Sequence, residues 1–232
     1  MIPEHIGFIM DGNRRWAKRN NLAPELGHNR GAEVFKDVCK WCIQNGVKYV
    51  TAYAFSTENW KRTEEEKKHI FGLLQIFFQR ELDNLIKNGL RIKIIGERTH
   101  FDARTLAIIE EIEAKSAACD KLFVQIALSY GGRDEITRAA TRLAADVASG
   151  TQNLADITEN TFASYLDTAG APDVDLVIRT GGTENQRLSN FLPWQTAYAE
   201  LYFSALLWPD FSEAEFQNAL AYFAATKRNA GK

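Results

Sequence analysis

Apolar positions along the chain switch between a spacing of two and a spacing of three to four residues, the sequence signature of strands interleaved with helices. Short apolar runs predict strands at 6–10, 47–55, 90–95, 123–128 and 174–179, with a short sixth at 201–203. Helical spacing predicts helices over 30–44, 63–88, 101–118, 134–148, 159–167 and 213–226. Elements in this alternation predict an α/β fold, a mainly parallel central sheet of about six strands flanked by helices. No internal repeat, low-complexity tract or Pro/Gly-rich linker divides the sequence, so residues 1–232 are read as a single domain.

Local punctuation supports several boundaries. Thr63 with Glu66, and Ser212 with Glu215, fit capping boxes at helix starts. Asn45-Gly46 and Asn88-Gly89 place residues tolerant of the left-handed conformation at helix ends. The helix at 63–88 is the odd one, because about 26 residues at 1.5 Å each make it roughly 39 Å long, twice the usual helix. Its apolar residues from Ile70 to Ile86 form one broad stripe. Such a stripe is either ordinary core or, in part, the wall of an elongated apolar cavity.

Charge and composition then narrow the function. Lys plus Arg number 28 against 30 Asp plus Glu, a formal charge of −2, without the cationic excess of a general nucleic-acid binder. Hydrophobic residues at 45% and charged residues at 25% are those of a globular chain. The longest apolar stretch, 70–78, falls far short of the ~20 residues that span a bilayer, so no transmembrane segment is expected. Met1-Ile2-Pro3-Glu4-His5 has no basic region ahead of an apolar run, so no signal peptide is expected either. Three cysteines, Cys39, Cys42 and Cys119, suit a reducing cytoplasm rather than a disulfide framework. Cys39 and Cys42 mimic a redox pair, yet with Phe35 and Val38 they fall at helical spacing, which reads as buried core.

Candidate chemistry gathers in three loops, each directly after a predicted strand. Asp11-Gly12-Asn13-Arg14-Arg15-Trp16 follows the first strand, and Ser56-Thr57-Glu58-Asn59-Trp60-Lys61-Arg62 follows the second. The strand ending at Arg179 leads into Thr180-Gly181-Gly182 and on to Arg187 and Ser189. In an open parallel sheet, ligands bind beyond the carboxyl ends of the strands. Glycine admits close backbone approach, arginines supply forked donors to an anion, and Asp11 can hold a divalent metal. Asp-Gly-Asn by itself is also an ordinary turn composition. Three anion-friendly loops on one sheet edge point instead to a site for phosphate groups. His28 can donate to such an anion from a loop, whereas His5, His69 and His100 are isolated and read as surface or core. No Walker A sequence, dinucleotide-binding glycine motif, nucleophile elbow or H-E-x-x-H helix occurs, so nucleotide hydrolysis and hydride transfer lose support.

Several long stretches, in order, carry a family resemblance. They are His5-Ile6-Gly7-Phe8-Ile9-Met10 running on through Asp11 to Ala17, Gly27-His28, and Tyr53-Ala54-Phe55-Ser56-Thr57-Glu58-Asn59-Trp60. Then come Tyr130-Gly131-Gly132-Arg133, Arg187-Leu188-Ser189-Asn190-Phe191, Tyr198-Ala199-Glu200-Leu201-Tyr202-Phe203 and Trp208-Pro209. With these the chain resembles the cis-prenyltransferases, the undecaprenyl diphosphate synthase group, over nearly its whole length. The resemblance implies condensation of isopentenyl diphosphate with an allylic diphosphate to a cis-polyprenyl diphosphate, with Mg²⁺ as cofactor and a homodimer as the assembly. It implies a cytoplasmic enzyme that binds no nucleic acid and meets a membrane surface only through a lipid product.

The resemblance also implies roles for individual residues. Asp11 is expected to engage Mg²⁺ and the allylic diphosphate, and Gly12, Asn13, Arg14, Arg15, Trp16 and His28 to form the pocket for that diphosphate and its first isoprene unit. Ser56, Thr57, Glu58, Asn59, Trp60 and Arg62 are expected in the loop over the reacting carbons. Arg179, Arg187 and Ser189 are expected to clamp isopentenyl diphosphate, with Glu200 as a second carboxylate near the metal. The family places proton removal at the Asn59 position, but a neutral amide is a poor base, so Asn59 is expected to orient a water or the diphosphate itself. The chain has no Asp-Asp pair, which excludes the aspartate-rich helices of the trans-type synthases.

Some positions depart from the family pattern. Pro24 stands where an arginine usually reaches the allylic diphosphate, and proline offers no donor. The 180–187 segment, which contains Glu184, is two residues longer than the usual spacing. Glu97 replaces a customary aspartate, Lys67 an apolar residue, and Arg228-Asn229-Ala230-Gly231 only partly matches a C-terminal Arg-x-Gly element. These changes fit a divergent chain-length enzyme or one making a short or irregular, head-to-middle prenyl diphosphate. A non-catalytic subunit of the same fold is the third reading.

Overall fold

The structure is a computed structural model and describes residues 1–182 and 186–226. Glu184 and the segment 228–231 lie outside the described residues. Among the described residues, six strands build the centre: β1 (His5–Ile9), β2 (Tyr49–Ser56), β3 (Leu90–Ile95), β4 (Leu122–Tyr130), β5 (Leu176–Arg179) and β6 (Glu200–Phe203). Every neighbouring pair is parallel, in the order β3-β4-β2-β1-β5-β6. The predicted parallel α/β sheet is therefore present, with strand ends within two residues of their expected places.

Among the described residues, seven helices surround it: α1 (Asn13–Arg19), α2 (Pro24–Gln44), α3 (Glu64–Lys87), α4 (Ala103–Ser116), α5 (Gly132–Ala148), α6 (Glu159–Ala163) and α7 (Glu213–Ala225). α1 lies outside the six predicted spans, and two others differ from expectation. α2 starts at Pro24, well before residue 30, because proline is suited to the first helical position, where no backbone donor is needed. His28 thus stands on a helix and not in a loop. α6 stops at Ala163, where Tyr165 and Leu166 tighten to bonds onto Phe162 and Ala163 instead of continuing the helix to 167. The capping boxes at Thr63 and Ser212 form only their first half. Glu66 turns to Arg14 at 3.1 Å, and Glu215 accepts from Ser204 at 2.6 Å.

Alternation along the strands sorts the core. Ile6 and Phe8 of β1, Val124 and Ile126 of β4 and Leu176 and Ile178 of β5 face α2, α3, α4 and α7 in the larger apolar cluster, which also takes in Cys39 and Cys42. Burial pushes the Cys39 thiol up to about 12 and Cys42 higher still, as befits core residues. Ile9, Ala127, Tyr130 and Val177 face the other way, against Phe191 and Leu192. A buried polar chain crosses three strands on that second face: His5 Nε2 meets Thr51 Oγ1 at 2.8 Å, and Thr51 donates to Gln125 at 2.9 Å. Burial holds His5 down at about 4, so the imidazole stays neutral.

This topology positions the site. From β1 the chain crosses over to β2 on one side, while β5 and β6 extend the sheet on the other. The carboxyl ends of β2, β1 and β5 therefore flank the crevice where connections diverge, the usual place for a ligand in an open α/β sheet.

Candidate active site

The turn after β1 delivers Asp11 to the crevice. Gly12 has a φ of 118°, and a Cβ there would stand 3.0 Å from Leu207, so glycine is required on both counts. Asp11 receives Arg15 at 3.0 Å on one carboxylate oxygen and Arg179 at 3.2 Å on the other. Arg15 also donates to the Gly181 carbonyl at 2.6 Å. Arg179, the nearly buried last residue of β5, gives its other terminal nitrogen to Ser189 Oγ at 2.7 Å and to the Arg187 carbonyl.

Backbone strain accompanies that clamp. Ser189 and Asn190 hold φ values of 50° and 64°, which non-glycine residues keep only when their surroundings enforce them. The Tyr53 hydroxyl helps to do so, donating to the carbonyls of Tyr130 at 3.1 Å and Ser189 at 3.4 Å while its ring stacks on Phe191 at 4.8 Å. Burial, with the Glu58 carboxylate nearby, raises the Tyr53 phenol, so it remains a donor throughout the ordinary pH range.

After β2, residues Thr57–Lys61 form a short 3₁₀ turn closed by a reciprocal box. The Ser56 side chain accepts from the Asn59 backbone, and Asn59 Oδ1 accepts from the Ser56 N–H at 3.0 Å. With its oxygen engaged there, Asn59 has an NH₂ to offer the cavity, a donor and not a base. Glu58 reaches across the rim to Asn190 at 3.1 Å. Burial raises its carboxyl, but hydrogen bonds from its own backbone, Asn190, Ser56 and Thr57 outweigh that and hold it below the usual range.

The facing wall comes from α1, α2 and the approach to α3. A Cβ at Gly27 would lie 2.2 Å from the Asn13 carbonyl oxygen, and one at Gly31 would lie 2.4 Å from Asn13 Oδ1, so these two glycines let Asn13 press against α2. Asn13 Oδ1 and His28 Nδ1 are nevertheless buried without a hydrogen-bond partner. Each such atom costs about 1–3 kcal/mol, which a ligand donor or acceptor would relieve. Burial lowers Arg62 from its ordinary value, with Glu66 and Arg14 pulling it in opposite directions.

Asp11, Asn13, His28, Ser56, Asn59, Arg62, Arg179 and Ser189 line a single cavity of about 240 Å³. Beneath it, sharing Met10, Ala54 and Ile70, lies an apolar hollow of about 130 Å³ walled on the α3 side by Leu73, Leu74, Phe77 and Phe78. Its far wall of Phe35, Phe77, Phe78 and Ile126 borders a second, almost filled pocket. The α3 stripe therefore serves both uses, since Leu82 and Leu85 are core while its first half walls a cavity.

Other expected residues stand behind this lining or away from it. Arg14 is bound to Glu66, and the Trp16 indole donates to Asp210 at 2.7 Å. Thr57 and Glu58 brace the rim, and the exposed Arg187 reaches the clamp through its carbonyl. Trp60 turns behind its loop, donating to Ser129 at 2.8 Å and lining a separate cavity with His100 and Phe101. Glu200 does not reach Asp11. It pairs in register with Leu176, and Leu176 with Ile6, so five residue steps, roughly 16 Å along the strands, separate its level from Asp11. Motif order cannot reveal that, because strand register decides it. Sequence reasoning also missed Tyr53 and Asn190. Strand alternation opposes Tyr53 to Ala52, but which loop covers that face is a tertiary fact.

A divalent cation fits at Asp11. Mg²⁺ commonly takes one or two carboxylates and completes its shell with water and substrate phosphate oxygens, and the Asp11 side chain is 34% exposed. Among the described residues, no three His, Cys, Asp or Glu side chains converge as a metal cluster.

Comparison with known proteins agrees with this geometry. Residues 9–231 match the prenyltransferase family model described by undecaprenyl diphosphate synthase. An isoprenyl transferase of Aquifex pyrophilus is 44% identical over all of this chain and 96% of its own length. The crystal structure of lavandulyl diphosphate synthase from Lavandula x intermedia, in complex with dimethylallyl diphosphate, superposes with a TM-score of 0.94 at 33% identity, covering 100% of this chain and 99% of that one. A probable undecaprenyl diphosphate synthase from Campylobacter jejuni superposes at 0.82 and 34% identity, covering 99% of each chain.

Proposed function

The chain belongs to the undecaprenyl diphosphate synthase family of prenyltransferases, and from that premise we propose that it condenses isopentenyl diphosphate with an allylic diphosphate to a longer cis-prenyl diphosphate. One observation carries the reading: residues from three separate loops line a single polar cavity directly above an apolar hollow. Two charged headgroups and one hydrocarbon tail need that combination.

In this reading the allylic diphosphate lies against Asn13, His28 and Arg62 with its tail in the hollow, and isopentenyl diphosphate lies against Arg179 and Ser189. When the allylic carbon–oxygen bond breaks, charge gathers on the departing diphosphate. Donors already aimed there lower the barrier without reorganising. The freed carbon bonds to the isopentenyl double bond, which then gives up a proton. Asn59 holds a diphosphate oxygen or a water in place for that step through its NH₂ group. Mg²⁺ bound at Asp11 would neutralise charge on the diphosphate.

A short-chain or irregular product is favoured by the size of the hollow, about 130 Å³. That lies below the ~300–1,000 Å³ typical of sites that enclose a whole small molecule. The close superposition on the lavandulyl enzyme supports the same reading. A homodimer belongs to the proposal too, since Tyr198 is 91% exposed near the edge strand β6. Free cysteines fit a cytoplasmic setting. Among the described residues, no helix is long and apolar enough to cross a membrane.

The test is product mass. Isopentenyl diphosphate with dimethylallyl, geranyl or farnesyl diphosphate and Mg²⁺ should give cis-elongated products, and no turnover with any primer would overturn the proposal. Dimethylallyl diphosphate supplied by itself yields product only if coupling is irregular.

A further inference from the structure

At the amino end of β5, the opposite end from Arg179, the chain encloses another cavity of about 220 Å³. Its lining comes from α6 and the turn after it, the segment leading into β5, and Trp194-Gln195. It shares no lining residue with the two cavities of the active site. The buried Leu166, Thr168 and Gln195 form its floor, and the exposed Asn160, Ser164 and Asp173 stand at its rim. Trp194, whose ring leans on Phe162 at 4.8 Å, supplies one wall.

The floor holds an acceptor with nothing to accept. Gln195 is 4% exposed, and its amide nitrogen donates to Glu135 at 3.0 Å and to Thr168 at 2.8 Å. The same Glu135 oxygen also receives the Tyr130 hydroxyl at 2.6 Å, so a carboxylate already acting as acceptor fixes which end of the amide faces it. Gln195 Oε1 is left as the other end, buried and without a hydrogen-bond partner. A buried acceptor in that state favours any donor that reaches it.

Charge around this cavity has one sign. Asp173 is in the lining, and no Lys, Arg or His among the described residues is. Burial, and then the Asp175 carboxylate two residues on, push the Asp173 carboxyl above its ordinary range, the mark of a locally negative field. Lys93 comes as near as the carbonyls of Asp167 and Ala169 but is not part of the lining. A lone carboxylate beside apolar walls is a poor cage for a metal ion, which surrounds itself with about six oxygens. An organic cation suits it better, since N–H groups satisfy both oxygens while a carbon stem lies along Leu166 and the Trp194 ring. The volume is under the ~300 Å³ at which sites for drug-sized molecules begin, so the occupant is small.

We propose that this cavity is a second binding site, for a small organic cation: a protonated amine or guanidinium on a short apolar stem, donating to Gln195 Oε1 and to the Asp173 carboxylate.

NMR of the full chain, titrated with butylammonium chloride at neutral pH, tests this. The side-chain NH₂ signals of Gln195 and the indole N–H signal of Trp194 should shift together and saturate with a Kd on the order of 1 mM, the range open to a ligand of a few heavy atoms. Asp173→Asn should weaken binding about tenfold, the size of one charge-assisted hydrogen bond, with the fold retained because Asp173 is exposed. Asp37→Asn, which removes the same charge from α2, should leave the affinity unchanged. Butyrate, with the same stem and the opposite charge, and potassium chloride should move neither signal. No saturable shift, equal binding of butyrate, or an affinity unaltered by Asp173→Asn would overturn the proposal. Prenyl transfer is untouched by any of these outcomes, since the two sites share no residue.

Discussion

The wall built on β5 and the wall built on α2 and α3 meet the same cavity in opposite states. On the β5 side, Arg179 is nearly buried and already bonded to Asp11, Ser189 and the Arg187 carbonyl, and Tyr53 pins the strained Ser189 beneath it. On the helical side, Asn13, His28 and His69 each bury a polar atom with no partner, and Arg62 is desolvated between Glu66 and Arg14. A preorganised wall contributes to folding and to binding alike. An unsatisfied one subtracts from folding and regains that free energy when an anion arrives. Substitutions should therefore separate the two walls by whether stability and activity fall together.

Asp11 lies on the seam between the walls, and its loss should have the largest effect. Asp11→Ala is expected to lower turnover about 10²–10³-fold, the scale seen when one preorganised electrostatic partner is removed. Its fold should persist, because the carboxylate is partly exposed. Near-normal rates in Mg²⁺ would remove Asp11 from the metal role and the seam from the mechanism.

The contrast itself is tested by two arginines. Arg179→Ala should lose activity about a hundredfold and also cost about 2 kcal/mol of stability in urea unfolding, less than a fully buried pair because the Asp11 side chain is 34% exposed. Arg62→Ala should lose about tenfold in kcat/KM with its urea midpoint unchanged or slightly raised, since burial of the guanidinium outweighs its attraction to Glu66. Equal stability losses in the two variants would erase the distinction between the walls.

Much of this architecture is legible in the sequence, and the residues that were not show why. The six strands announce themselves through their own side chains, as Ile6 and Phe8 do on one face and Ile9 on the other. Asp11 and Asn59 come just after strand ends and Arg179 closes a strand, so locating the strands located them. Residues that depend on register or on long-range packing escaped. Glu200 shares a motif with Tyr202 but stands at the far end of β6, and Trp60 shares a loop with Asn59 but turns into another cavity. His69 looks solitary along the chain because His28, which it adjoins, comes from α2. The helical pattern was read only from residue 30, though Pro24 begins α2, and that late start is what set His28 in a loop.

The smallest expected effect probes how the rigid wall is held. Tyr53→Phe keeps the ring on Phe191 and removes only the hydroxyl that bonds the carbonyls of Tyr130 and Ser189. Two carbonyls at the cavity edge would turn to water, so the stability loss should be about 1 kcal/mol. Ser189 then has less to hold its left-handed φ of 50°, and its hydroxyl drifts from Arg179. KM for isopentenyl diphosphate should rise about threefold to fivefold, while KM for the allylic substrate stays fixed because no group on the helical wall has moved. The change should not vary with pH, since the phenol stays protonated throughout the working range. If both KM values rise together, the walls are mechanically coupled through the rim contact of Glu58 with Asn190, and the cavity works as one clamp instead of two.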